Sequence, residues 1–261
     1  MFTGVFGNCD AARPYLDTSV NLFDESIWIE TVMNATVNIK NNMHNPDHPC
    51  EWYEREFLAI LAFESYSKDY VSVLDFGGGP ATNYASVVGK IPLNNQIYHI
   101  VDTPSNCELG RKLFLGDSRL YFIDANPDDD LDFQLPQSTY DIVMSSSTLQ
   151  YSRNWKQLVE RLTGCNPEFF VLLRLLTGPM PTFTTIQSVT MSYGPLKGSY
   201  AGDIHCTFIN RDELRDHFDF LGYDIFLDIY GRSYAEELKQ LPPPYNNGHL
   251  RTMIFKKSKY R

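Results

Sequence analysis

Basic residues are scarce in this chain: 22 Lys and Arg stand against 32 Asp and Glu, a formal net charge of −10. A broad basic surface for nucleic-acid backbone is thereby excluded, because phosphate binding needs clustered cations. The one dense basic run, Lys256 to Arg261, reads as a solvated tail. Paired cysteines are missing too. Cys9, Cys50, Cys107, Cys165 and Cys206 are odd in number, widely spread and never spaced C-x-x-C. That disfavours a disulfide framework and a zinc–cysteine site. No basic stretch followed by an apolar one opens the sequence, so no secretory signal is predicted. The longest apolar run, Phe169 to Leu176, is broken by Arg174 and is too short to span a bilayer. These absences predict a cytoplasmic protein without nucleic-acid or membrane partners, working on a small molecule; they leave the oligomeric state open.

What is present suits an α/β protein. The length of 261 residues fits one such domain with an added segment, and 43% hydrophobic residues supply a sizeable core. A helix is expected near Glu25 to Asn38 and another from Trp52, where Phe57, Leu58, Leu61 and Ala62 recur at helical spacing. Five β-type runs then alternate with helical ones: Val71 to Phe76, Ile97 to Val101, Leu120 to Ile123, Tyr140 to Met144 and Phe169 to Leu175. This alternation predicts a parallel sheet covered on both faces. Asn210 caps a helix over 211–220 with Glu213 placed as in a capping box. Tyr223 to Ile229 and Leu250 to Phe255 close the chain as two strands whose connection turns at Pro242 to Pro244, so they should pair antiparallel. The expected architecture is a seven-stranded Rossmann-like sheet, mostly parallel with an antiparallel closing strand, under an N-terminal helical cover. Residues 1–66 are the cover, residues 67–261 the main domain, and about 178–209 an insertion for the substrate.

The most informative segment is Val73-Leu74-Asp75-Phe76-Gly77-Gly78-Gly79-Pro80-Ala81. Ligands of open α/β sheets bind outside the carboxyl ends of strands. Glycines there let the backbone approach a ligand, although on their own they would mark only a tight turn. Asp75 precedes the first glycine, and Gly77-x-Gly79-x-x-Thr82 lacks the third glycine of a dinucleotide turn, so a pyrophosphate is a poor fit. Asp102 ends the next strand, 27 residues on, where a carboxylate can accept from the two hydroxyls of a ribose; Asp124 ends the third and can accept from an adenine amino group. Three acidic strand ends at one crevice suit an uncharged adenosine carrying a cationic sulfonium.

These residues resemble class I methyltransferases dependent on S-adenosylmethionine. Leu74 to Gly79 is similar to their first motif, Asp102 to their ribose acid, Asp124-Ala125 to their adenine pair and Tyr140-Asp141-Ile142-Val143 to their fourth-strand motif. The likeness spans about Val71 to Phe255. A narrower resemblance, carried by Tyr53-Glu54-Arg55-Glu56, Ser145-Ser146-x-x-Leu149-Gln150-Tyr151 and Thr185-Ile186-Gln187, points to a bacterial family associated with surface-polysaccharide and capsule gene clusters. Thr148, Leu173 and the Cys206-Thr207-Phe208 run depart from its pattern. The resemblance implies a cofactor site made by Tyr53, Arg55, Asp75, Gly77, Gly78, Gly79, Asp102, Thr103, Asp124, Ala125, Ser145 and Ser146, with S-adenosylmethionine as cofactor.

For the acceptor, the candidates follow strands four and five. Gln150 and Tyr151 either contact it or cap their turn. Arg174 interrupts an apolar strand, where a charge must be paired or face an anionic ligand; Tyr193 and Tyr200 in the long polar segment offer stacking surface. His205, with Asp203 to orient it, is the candidate base for a hydroxyl acceptor. His44-x-x-x-His48-x-Cys50 lacks a fourth ligand, and Asp128-Asp129-Asp130 reads as a solvated turn, so no metal is expected. The function this predicts is methyl transfer to a small polar acceptor, such as a sugar, a nucleotide-linked sugar or an anionic phosphate or carboxylate intermediate. The alternatives are a non-catalytic cofactor-binding subunit and a nicotinamide oxidoreductase.

Overall fold

The computed structural model describes residues 1–16, 26–45, 47–48, 54–125, 133–191 and 200–259, with only the backbone of residues 26, 27, 190, 191, 200 and 201. Its strands are β1 (Phe2–Phe6), β2 (Val71–Phe76), β3 (Gln96–Asp102), β4 (Leu120–Asp124), β5 (Ile142–Ser146), β6 (Phe169–Gly178), β7 (Phe183–Met191), β8 (Tyr200–Asn210), β9 (Tyr223–Ser233) and β10 (His249–Lys257). Its helices are α1 (Cys9–Ala12), α2 (Ser26–Asn42), α3 (Arg55–Ser67), α4 (Thr82–Val87), α5 (Pro104–Leu113), α6 (Trp155–Thr163) and α7 (Arg211–Phe220).

Seven strands make the main sheet in the order β4-β3-β2-β5-β6-β10-β9, parallel except for β10, which runs against both neighbours. Every residue of β2 is buried, as is the whole of β5. Their near-continuous apolar runs reflect a sheet covered on both sides. Leu158, Val159 and Leu162 of α6 pack with Leu214 and Phe218 of α7 on one face, where the Phe218 and Phe255 rings stack with centroids 3.8 Å apart. Phe57, Ile60 and Leu61 of α3 pack with Tyr84, Ala85 and Val87 of α4 on the other.

The strand order reverses between β2 and β5. From β2 the chain goes out to β3 and β4 on one side, and returns to build β5 and β6 on the other. The crevice above their carboxyl ends is therefore the topological switch point, where open α/β sheets bind ligands.

Two regions depart from the sequence reading. The long segment after Gly178 forms an antiparallel hairpin, β7 and β8, that joins the end of β6 through Thr177–Ile209 and Gly178–Asn210. The N-terminal region, expected as a helical cover, is partly β-structure, because β1 pairs with β7 at the edge of this hairpin. Phe2 supplies the reason: it is buried against Phe208, Phe183 and Leu238 in a separate apolar cluster, which fixes the strand. The capping box at α7 is also only half made. Asn210 Oδ1 accepts from Glu213 N at 2.8 Å, whereas the Asn210 amide donates to Thr182 Oγ1 at 2.9 Å. The Thr182 hydroxyl in turn contacts the Glu213 carboxylate, so threonine relays the second arm. No helix among the described residues is long and apolar enough to cross a membrane.

Candidate functional site

The glycine turn connects β2 to α4 across the switch point. Gly77 and Gly79 have φ of +74° and +59°, which only glycine adopts without cost, and the Gly77 amide donates to Val101 O at 2.8 Å. At Gly77 a Cβ would lie 2.1 Å from Thr148 Oγ1, and at Gly78 it would lie 2.6 Å from the Asp75 carboxylate. The turn thus wraps directly over Asp75 and abuts the loop after β5. Thr148 donates its hydroxyl to Gly77 O and Ser146 O and ties the two loops together.

Asp102 ends β3 in register with Asp124 at the end of β4. Its Oδ2 accepts from the Gly79 amide at 2.7 Å, and its Oδ1 accepts from the Thr103 amide and Asn106 Nδ2, both at 2.7 Å. Thr103 caps α5 through its hydroxyl, with Pro104 following as a residue that needs no donor there. Asp124 is half-exposed and paired with Arg111 at 2.7 Å, and the Ala125 amide donates to Asp102 O. A pyrophosphate fits this cradle badly: a carboxylate already takes the turn amide that would hold it.

Asp75 is fully buried and accepts from Asn83 Nδ2 at 3.1 Å. Burial lifts its carboxyl; the Asn83 bond opposes this, the Asp102 and Glu54 charges add to it, Arg174 opposes, and the group is pushed up to about 7. Its contribution to folding is therefore full below its ordinary value near 3.8 and is lost as pH rises through about 7.

The run before α3 is sorted by helical phase. Glu54 shares the inner face with Phe57, Leu61 and Glu64 and is 1% exposed, whereas Arg55, the expected cofactor residue, is exposed. The Glu54 carboxylate accepts from Ser86 Oγ on α4. Tyr53 lies outside the described residues, as do Tyr193, the Tyr200 side chain, Cys50 and Asp128 to Asp130. Among the described residues no group of three or more His, Cys, Asp or Glu is placed to hold a metal ion.

The β5 and β6 ends carry the acceptor candidates. Ser145 and Ser146 are buried, and Ser146 Oγ accepts from Arg174 Nε at 3.3 Å. Arg174 has φ of +52° at a bulge in β6, where three residue steps from Leu172 to Leu175 face two from Met253 to Arg251. A non-glycine residue in that conformation stores of order 1 kcal/mol. Arg174→Gly should therefore melt a few degrees above Arg174→Ala, since alanine keeps the left-handed strain and glycine does not. Thermal melts of both variants check this; equal melting temperatures refute the strain.

Gln150 is buried and donates from Nε2 to Ser147 Oγ at 3.0 Å and Arg174 O at 3.4 Å; its Oε1 has no hydrogen-bond partner among the described residues. Tyr151 OH donates to Gln187 Oε1 at 3.0 Å. His205 on β8 places Nε2 against the Tyr151 carbonyl, which can only accept, so Nε2 carries the proton. Asp203, expected to orient it, is exposed on the same strand. The imidazole instead meets Cys9, whose thiol is pushed up by burial and pulled further down by hydrogen bonding with His205, Thr184 and Thr207. Asp141 of the fourth-strand motif accepts from Ser72 N and Lys68 Nζ before β5 begins, at the end of the sheet opposite the glycine turn. It pins strands and stands apart from the site. Glu54, Asn83, Asn106 and Cys9 escape a sequence reading. Only Glu54 left a signal there, the i, i+3, i+7 phase with Phe57 and Leu61.

No family model and no curated protein matches the chain. Solved structures do. A S-adenosylmethionine-dependent methyltransferase from Clostridium acetobutylicum superposes with a TM-score of 0.56 at 9% identity, over 87% of this chain and 99% of its own. The cyclase SpnF gives 0.52 at 10%, over 87% and 95%. The YcgJ protein from Bacillus subtilis gives 0.50 at 11%, over 78% and 99%. With a methyltransferase and a cyclase among them, the likeness carries architecture and no chemistry: the chain has the Rossmann-like α/β fold that these proteins share.

Proposed function

We propose that this protein is an S-adenosylmethionine-dependent methyltransferase acting on a small polar acceptor. The observation that carries the reading is the anionic crevice at the switch point. Asp75 lies under the glycine turn, Asp102 grips the turn through the Gly79 amide, and Asp124 follows in register. Such a set of acceptors favours ribose hydroxyls and a sulfonium and repels a pyrophosphate. Asp102, Asp124 and Ala125 would hold the adenosine, with Asp75, the three glycines, Ser145, Ser146 and the 53–55 run around the remainder. When bound, S-adenosylmethionine supplies an electrophilic methyl carbon. The chain's own task is then to position the acceptor and exclude water. Residues 1–66 serve as the cover and the 178–209 hairpin as a wall of the acceptor pocket.

The acceptor class follows from Arg174, Gln150 and Tyr151 at the β5 and β6 ends. A guanidinium there suits a sugar or nucleotide-linked sugar bearing phosphate or carboxylate. The place in surface-polysaccharide synthesis rests on the family resemblance alone. For a hydroxyl acceptor, His205 remains the candidate base. Nε2 is committed to Tyr151 O and the ring also meets Cys9, so this role requires Cys9 to give up its hydrogen bond to the imidazole.

S-adenosylmethionine at a hundred times its Kd should stabilise the fold by about 2.7 kcal/mol. That raises the melting temperature by roughly 5–10 °C and slows proteolysis of residues 1–66. Calorimetry that detects NADH binding and no S-adenosylmethionine binding would sink the proposal. Transfer of labelled methyl to phosphorylated or carboxylated sugars separates an enzyme from a non-catalytic subunit.

A further inference from the structure

We propose that Glu54 and Asp75 together select the charge of the ligand at the glycine turn, favouring the cationic sulfonium donor over its neutral thioether product and releasing a proton when the cation binds. The inference rests on the donor reading above. Both carboxylates are withdrawn from water, at 1% and 0% exposure. They are held from positions one turn apart on α4, where Ser86 donates to Glu54 and Asn83 to Asp75. The turn that would cradle a ligand sits against the Asp75 carboxylate, so close that Gly78 tolerates no Cβ. Among the described residues, the charged and titratable groups acting on Asp75 include Glu54 before α3, Asp102 and the Tyr98 hydroxyl on β3, and Arg174 on β6. Two neighbouring carboxylates thus outnumber one guanidinium. Burial and this excess leave Asp75 partly protonated near neutral pH. A cation at the turn favours the ionised carboxylate and expels that proton; a ligand with a neutral sulfur does not.

Calorimetric titration of the full chain with S-adenosylmethionine and S-adenosylhomocysteine from pH 6 to 8 tests this. The α-amino group is common to both ligands, so their affinity ratio isolates the sulfur charge. The ratio should shift toward the donor by up to about tenfold over that range, with about half a proton released at pH 7 on donor binding, read from buffers of different ionisation enthalpy. Glu54→Gln should shrink the preference and move its midpoint to lower pH, because one charge raising Asp75 is gone. Asp75→Asn should make the ratio independent of pH. A wild-type ratio that stays constant from pH 6 to 8 overturns the inference while leaving the donor reading intact, and so does a preference unchanged in both variants. Failure of both ligands to bind wild-type protein overturns the two together.

Discussion

Replacing Asp102 by alanine is expected to weaken S-adenosylmethionine binding by about 2 kcal/mol or more, some thirtyfold, because charge-assisted bonds to the ribose are lost. The apo protein should suffer as well. Three donors converge on this carboxylate, the Gly79 and Thr103 amides and Asn106 Nδ2, and alanine leaves all of them without it. Each buried group stranded in this way costs about 1–3 kcal/mol. Asp102→Asn should be milder. Its surviving oxygen can still accept from Thr103 and Asn106, while its new amide opposes the Gly79 N–H and frees the turn. Melting curves without ligand and calorimetric affinities with it separate the two losses. If both variants bind as the wild type does, the ribose does not sit at this strand end.

The second large effect belongs to Gly77. Gly77→Ala forces a Cβ to 2.1 Å from Thr148 Oγ1 and 2.5 Å from Thr148 Cβ, so turning the threonine side chain does not relieve the clash. Overpacking of about 1–3 kcal/mol adds to about 1 kcal/mol for a left-handed alanine. Gly79→Ala provides the control: φ is again positive, but the nearest atom, Thr82 Oγ1, is 3.8 Å away. It should therefore lose only the backbone part. Urea unfolding with a common slope measures both. Equal losses would mean that the contact between the glycine turn and the β5 loop does not constrain the turn.

Much of this was legible because it is written in local pattern. Val71 to Phe76, the following glycines and Asp102 at the next strand end report on a buried strand, a sharp turn and a second strand, each through its own neighbours. The site's supports were not legible. Asn106 on α5 reaches back to Asp102 at a strand end, and Glu54 reaches Ser86 across 32 residues, so neither contact follows the period of a single element. His205 and Cys9 are 196 positions apart, and their contact exists only because β1, α1 and the β7–β8 hairpin fold against one another. Asp141 shows the reverse case: a residue within a functional-looking motif whose partners, Ser72 and Lys68, make it a clamp.

By itself the sequence determined the alternation of strands and helices, the antiparallel closing pair, the glycine turn and the acidic strand ends, because hydrophobic period and turn chemistry act over a few residues. Tertiary structure decided that Glu54 faces inward and Arg55 outward, since helix phase against a particular sheet face sets burial. It also decided that the polar insertion is a hairpin completed by the chain's first strand, because strand pairing is set by partners distant in sequence. And it decided that Arg174 sits strained at a bulge beside Ser146, since only the β10 register creates the extra residue there.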